Sequence, residues 1–390
     1  MISCREAAVR TAGFLVVCTL ALSACQSGAI APGHPSPSPG VSASVSPVVR
    51  DAVLPEHILV ELGPYGVGSL GCDGKTVVWS TSSKPMQSRL DLIRAAGLAG
   101  SGAHAVGRGH LGGTVNDTVV VDGDWVVFME YQQHQQEFTT DFWSLQAVNL
   151  STGHSIEVAG ASQRPVTLEL PFYSLSGHFL VWDQLLASGQ KVLRLRNLES
   201  GSEENIPLPE SMYPTRPTMD GDTVVFLDNA ADPDHAHEDF YSRNGQLMAY
   251  SLTTRKLRKL DSTTRASQPN FHGSTVVWSA LVQDPQGPTG STVPDVRLSP
   301  LDGGHYKVIA GLGSLPLLSN SYVVWYDTEQ RRLFVYSLSS HESRRLMLAN
   351  RQDLNSEYAV CGHQLIYALP PDVDGNVSRL RSFDLDQAFQ

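Results

Sequence analysis

A short pattern of polar and apolar positions recurs seven times along the chain. A turn residue is followed by one or two variable residues, two apolar residues and an aromatic. The copies are Gly74–Trp79, Gly123–Phe128, Gly177–Trp182, Gly221–Phe226, Gly273–Trp278, Asn320–Trp325 and Gly362–Tyr367. The aromatic stands five residues after the turn residue every time. Aromatics are 8% of the chain, so chance would supply only about half an aromatic over seven such positions. Each copy reads as a strand entered from a tight hairpin, because Gly, or Asn in its place, supplies the φ > 0 backbone that such a turn needs. A short apolar strand precedes the turn, as in 172–175 and 216–219. A third strand ends in leucine (145–150, 193–198, 247–252, 333–338, 380–385) and closes on polar turns such as Ser151-Thr152-Gly153. A fourth is short and partly apolar (155–158, 256–260, 306–309). No stretch sustains a 3.6-residue period over three turns, so helices are expected to be few.

The turn residues are spaced 42 to 54 residues apart, the length of one four-stranded antiparallel sheet per repeat. The expected fold is therefore all-β, a seven-bladed β-propeller. The ends of the chain fit a closed ring. The seventh repeat stops after its third strand, whereas His57–Gly63 precedes the first repeat without a hairpin partner. Ile58–Leu62 is thus expected to complete the last blade and remove two exposed edges. The repeat resembles the TolB-like β-propeller family over residues 57–390. It departs from that family in lacking the Ser-Pro that commonly precedes Asp-Gly. It also has no counterpart of the small N-terminal α/β domain of TolB, so the resemblance implies the fold and not the role of TolB. The WD40 pattern fits less well, with Trp182-Asp183 as a single instance.

The first fifty residues read differently. Arg5 and Arg10 open an uncharged run, Thr11 to Leu22, that is too short for a membrane span. The run ends in Leu22-Ser23-Ala24-Cys25, which resembles a bacterial lipobox. That resemblance implies a signal peptide over 1–24, acylation of Cys25 by palmitate-type chains, and a place on the extracytoplasmic face of the cell envelope. Residues 25–50 read as the lipidated Cys and a linker rich in Pro and Ser, and 51–390 as the propeller. The net charge of −11 disfavours a nucleic-acid partner. Of five cysteines, only Cys72 and Cys361 remain after export and lipidation. They lie near the turns of repeats one and seven, where a disulfide could clasp the ring. The one-residue offset between their positions argues against that pairing.

Candidate chemistry lies in the unequal links between second and third strands. These are long in repeats two (130–141), four (228–244) and five (279–293), and short in repeat six (327–331). Such links surround the channel mouth of a propeller, and repeats two, four and five are expected to raise an asymmetric rim. In repeat two, Tyr131, His134 and Phe138 stand among glutamines, a mixture that suits sugars or peptide backbones. In repeat four, Asp232, Asp234, His235, His237, Glu238 and Asp239 fall within eight residues. His235 and His237 at i, i+2 share one side of an extended segment and suit Zn²⁺, while the carboxylates suit Ca²⁺. A solvated acidic loop is the plainer reading. The seven repeated aromatics are expected to pack between blades. No nucleophile elbow, P-loop or dinucleotide motif occurs. These features point to a lipid-anchored scaffold binding an envelope protein, peptide or glycan. The alternative is a glycan hydrolase or lyase using rim carboxylates.

Overall fold

The computed structural model describes residues 49–390 apart from 54, 86–88, 100–101, 113, 135–138, 162–169, 231–244, 261–264, 285–291, 328, 348–357 and 370–377. Residues 47–390 form one compact unit. The chain opens with β1 (Arg50–Val53) and β2 (His57–Gly63). Blade 1 then comprises β3 (Val67–Cys72), β4 (Thr76–Thr81), β5 (Leu92–Gly97) and β6 (His104–Arg108). Blade 2 comprises β7 (Thr114–Asp122), β8 (Trp125–His134), β9 (Thr139–Asn149) and β10 (Ser155–Ala161). Blade 3 is β11 (Tyr173–Ser176), β12 (Phe179–Leu185), β13 (Lys191–Asn197) and β14 (Glu203–Asn205). Blade 4 is β15 (Pro214–Asp220), β16 (Thr223–Asp228), β17 (Gln246–Ser251) and β18 (Lys256–Lys259). Blade 5 is β19 (Ala266–His272), β20 (Thr275–Gln283), β21 (Thr292–Pro300) and β22 (Lys307–Gly311). Blade 6 is β23 (Gly313–Leu318), β24 (Tyr322–Asp327), β25 (Arg332–Ser337) and β26 (Ser343–Met347). Blade 7 is β27 (Tyr358–Cys361), β28 (Gln364–Leu369) and β29 (Ser378–Asp384), completed by β2. The protein is a seven-bladed β-propeller.

The repeated aromatics explain why the blades form a ring. Trp79, Phe128, Trp182, Phe226, Trp278, Trp325 and Tyr367 are all buried. Seven apolar cores result, and each joins two neighbouring blades rather than filling one sheet. The seventh brings Ile366 and Leu380 of blade 7 against Val77 and Trp79 of blade 1, with Val60 of β2 among them. Across the sheet from four of the aromatics stands an arginine of the third strand: Arg94 opposite Trp79, Arg194 opposite Trp182, Arg297 opposite Trp278 and Arg381 opposite Tyr367. The Arg194 guanidinium lies over Trp182 and pairs with Glu203.

The first strands carry a bulge that tolerates proline. Register slips between Thr215 and Thr218, Ser267 and Asn270, and Ser314 and Leu317. Pro217, Pro269 and Pro316 sit inside these slips, where no ladder hydrogen bond is required of them. Each follows a residue forced to positive φ: Arg216 at 52°, Gln268 at 49° and Leu315 at 53°.

Successive hairpin turns are laced to one another. At four seams the residue before the turn glycine reaches the next blade's turn. Asp73 accepts from the Gly123 N–H at 3.1 Å, Asp122 from Gly177 at 2.7 Å, Ser176 from Gly221 at 3.0 Å and Asp220 from Gly273 at 2.6 Å. At the seam between blades 7 and 1 the corresponding residue is Cys361, which is joined to Cys72 with Cα atoms 5.8 Å apart. The offset counted from the turn glycines misleads here. Cys72 pairs with Val77 across four residues, whereas Cys361 pairs with Gln364 across two. The longer first turn brings Cys72 within disulfide reach.

Both chain ends are used. β2 runs antiparallel to β29, His57 opposite Ser382 and Gly63 opposite Ser378, so the last blade is closed by the first part of the fold. The linker expected to run to Arg50 stops earlier. Arg50 begins β1, which lies parallel to β26 as a fifth strand of blade 6. There Asp51 takes two hydrogen bonds from Arg345, at 2.7 and 2.9 Å, and Ala52 is buried in the core between blades 6 and 7. At the other end a 3₁₀ turn, Leu385–Phe389, packs against the same core. Its Asp386 accepts from the Tyr322 hydroxyl at 2.5 Å and lies 2.7 Å from His363 Nδ1. Those two contacts hold the Asp386 carboxyl below its ordinary range, while burial and the adjacent carboxylate push the Tyr322 phenol up.

Candidate functional site

Antiparallel blades put two kinds of connection on opposite faces. The hairpin turns lie on one face. The links between second and third strands lie on the other, together with the connections between blades. Among the described residues, the second strands of blades 2 and 5 run furthest toward this second face. Their middle hairpins continue to His134 and Gln283, whereas the matching strands of blades 1, 6 and 7 end at Thr81, Asp327 and Leu369.

The 130–141 segment of blade 2, expected as a loop, is in large part a hairpin. Tyr131 pairs with Trp143, Gln132 with Phe142 and His134 with Thr139. Aromatic and β-branched residues on both arms favour this extension, and the glutamines between them do not prevent it. Trp143 is buried, and half-buried Tyr131 packs against the same core between blades 2 and 3. His134 is therefore a strand residue. Phe138 lies outside the described residues.

Glu130, fully buried, fixes the base of this hairpin. Its carboxylate accepts from the backbone N–H of His110 at 2.7 Å and of Leu111 at 2.9 Å. The connection from blade 1 is thereby tied to blade 2. It leaves Leu111 44% exposed and sets the His110 ring between Glu130 and Glu157, at 3.7 and 3.9 Å. Leu111, His110 and Glu157 make a shoulder of mixed apolar and polar character on the blade 1 side of the raised hairpin, while Tyr131 faces blade 3. The sequence pattern does not single out His110 and Leu111. Only the Glu at the second position after the aromatic signals a capped connection there.

The same capping recurs around the rim. Asp228 accepts from Tyr213 N at 2.9 Å and Ala230 N at 3.1 Å, at the root of the blade 4 link. Asp327 accepts from Glu329 and Gln330 and closes the short link of blade 6, and burial pushes its carboxyl up. Asp183 accepts from Arg216 N at 2.9 Å and from the Thr215 hydroxyl at 3.0 Å, and lies 3.5 Å from Lys191 Nζ. Both members of that pair are 1% exposed. These four carboxylates hold backbone and a buried ammonium, so their chemistry is positional. Asp232, Asp234, His235, His237, Glu238 and Asp239, with the metal site read from them, lie outside the described residues, as does Cys25. Among the described residues no group of three or more His, Cys, Asp or Glu side chains is gathered as a metal site. No helix among them is long and apolar enough to cross a membrane.

No family model matches the chain, and no curated protein sequence matches it. Solved structures do. An oligogalacturonate lyase in complex with manganese aligns with a TM-score of 0.55 at 13% identity, over 87% of this chain and 96% of that one. The β-propeller domain of the Trilobed protease from Pyrococcus furiosus aligns with a TM-score of 0.51 at 11% identity, over 78% and 91%. A putative TolB from Agrobacterium tumefaciens aligns with a TM-score of 0.43 at 13% identity, over 64% and 82%. The Pyrococcus domain is described as having an open velcro topology, whereas here β2 fastens the ring. At these identities the likeness is one of fold, the β-propeller, and goes no further.

Proposed function

We propose that this chain is a lipid-anchored, extracytoplasmic β-propeller that binds an envelope protein, peptide or glycan on its link-bearing face. The observation that carries the reading is the shoulder of blades 1 and 2. A rigid ring lifts one hairpin above its neighbours and holds Leu111 and His110 beside it on a buried carboxylate cap. An exposed apolar side chain beside an imidazole and a carboxylate suits a sugar ring or a peptide backbone, where apolar contact and hydrogen bonding act together. The Pro- and Ser-rich linker and the Leu22-Ser23-Ala24-Cys25 motif support the anchored placement. The repeat-four link belongs to the same rim, and its carboxylates and imidazoles are the groups that would hold Ca²⁺ or Zn²⁺.

The test is a binding screen against envelope glycans and peptides by thermal shift, followed by titration with His110→Ala and Leu111→Ala. Binding that weakens tenfold or more, about 1.4 kcal/mol, with unfolding unchanged supports the reading. Binding indifferent to both variants removes the shoulder from it. The second reading, a glycan lyase or hydrolase, draws on the likeness to oligogalacturonate lyase along almost the whole of both chains. Incubation with oligogalacturonate decides it: unsaturated products mark a lyase, new reducing ends without unsaturation a hydrolase, and neither product favours the binding scaffold.

A further inference from the structure

The outer edge of blade 4 is unlike the rest of this acidic molecule. β18 reads Lys256-Leu257-Arg258-Lys259 and follows Arg255 directly, and all four cations are exposed. Arg265, also exposed, follows six residues after Lys259. Among the described residues no carboxylate pairs with Lys256, Arg258 or Lys259. Lysines commonly protect a sheet edge from pairing with another chain, but the other edges here manage without such a run. β14 offers Glu203, Glu204 and Asn205, and β6 carries His104 and Arg108 at its two ends. A single-sign stripe in a chain of net charge −11 therefore calls for a partner of opposite charge.

We propose that the β18 edge is a contact surface for an anionic phospholipid membrane. The choice of partner rests on the anchored reading given above. A chain tethered at Cys25 through the Pro- and Ser-rich segment is held beside a lipid surface, and its own charges then select which side approaches. Basic residues near an anionic leaflet are attracted over roughly one Debye length, about 8–10 Å. The acidic remainder of the ring is repelled over the same range. The propeller then stands edge-on, with blade 4 toward the lipid and the link-bearing face turned sideways, open to ligands in the envelope. The edge sets orientation, while the acyl chains supply most of the affinity.

The test uses the full mature chain with Cys25→Ala, so that no lipid contributes, in co-sedimentation with vesicles. Vesicles of phosphatidylglycerol and phosphatidylcholine are expected to bind it at low salt, and vesicles of phosphatidylcholine alone are not. The combined variant Lys256→Gln, Arg258→Gln, Lys259→Gln is expected to lower partitioning by about a hundredfold. Lys256→Arg with Lys259→Arg should keep it, and Lys75→Gln, an exposed cation at the blade 1 turn, should leave it unchanged. Equal binding to both vesicle types, no binding to either, or a triple variant that binds like the parent overturns the proposal. So does saturable binding to a soluble polyanion such as polygalacturonate in preference to vesicles, which would assign the edge to a glycan. Palmitate labelling of the unmodified chain tests the anchor separately. A labelled chain with an inert edge keeps the anchor and loses this proposal, and an unlabelled chain with anion-selective vesicle binding does the reverse.

Discussion

The disulfide between Cys72 and Cys361 makes a quantitative demand. It joins residues 289 apart in sequence, so its reduction frees almost the whole folded chain from a cross-link in the unfolded state. The loop-entropy relation gives about 5–6 kcal/mol for a loop of that length, and measured disulfides commonly deliver 2–4 kcal/mol. For a folded unit of this size the unfolding entropy is about 0.7 kcal/mol/K. Cys72→Ser with Cys361→Ser is therefore expected to lower the unfolding midpoint by about 3–8 °C. Differential scanning calorimetry of the Cys25→Ala chain, oxidised, reduced and doubly substituted, supplies the measurement. Reduction and double substitution should agree, and the oxidised mature chain should show no free thiol even when unfolded, until a reductant is added. Two titratable thiols in the unfolded, unreduced mature chain, or a midpoint shift under about 2 °C, would refute the clasp.

Packing and buried charge make further demands. Trp182→Ala opens a cavity in the core shared by blades 2 and 3 and should cost about 3–5 kcal/mol, read by denaturant titration. Lys191→Met leaves the Asp183 charge without its buried ammonium and should cost about 3–5 kcal/mol, while adding Asp183→Asn should recover part of that loss in a double-mutant cycle. Asp386 has a folded-state pKa below its unfolded one, so its contribution is present above the ordinary carboxylate range and disappears as the pH falls through the folded value. Asp386→Asn should therefore lower the midpoint at neutral pH, and the gap should close at low pH.

The parts of the fold that repeat are legible in the sequence. The aromatic at a fixed distance from each turn, the hairpin glycines and the unpartnered His57–Gly63 segment suffice to count seven blades and to place the closing strand. Features that occur once are not legible. β1 is four residues long and carries no periodic signal, and its place on β26 depends on Asp51 meeting Arg345, a pairing between residues 294 apart in sequence. The hairpin of blade 2 reads as a loop because its glutamines outweigh the β-branched and aromatic residues on both arms. The arginines opposite Trp79, Trp182, Trp278 and Tyr367 do leave a trace, an Arg four residues before the final leucine of the third strand in blades 1, 3, 5 and 7. It is visible once the aromatic position is known to face them. For the candidate site, the rim's place can be read from unequal link lengths, but the shoulder built on Glu130 cannot. That shoulder needs the connection from blade 1 to fold back over blade 2.

Ring closure by β2 fixes the rim, the seam and the blade edges alike, and thermal unfolding of a chain lacking residues 51–63 tests it most directly. With β29 left as a bare edge and the Val60 side chain gone from the core between blades 7 and 1, the midpoint of the whole domain should fall by about 10 °C or more, or the single transition should break up. A midpoint within about 2 °C of the parent, with the transition intact, would contradict the closed ring.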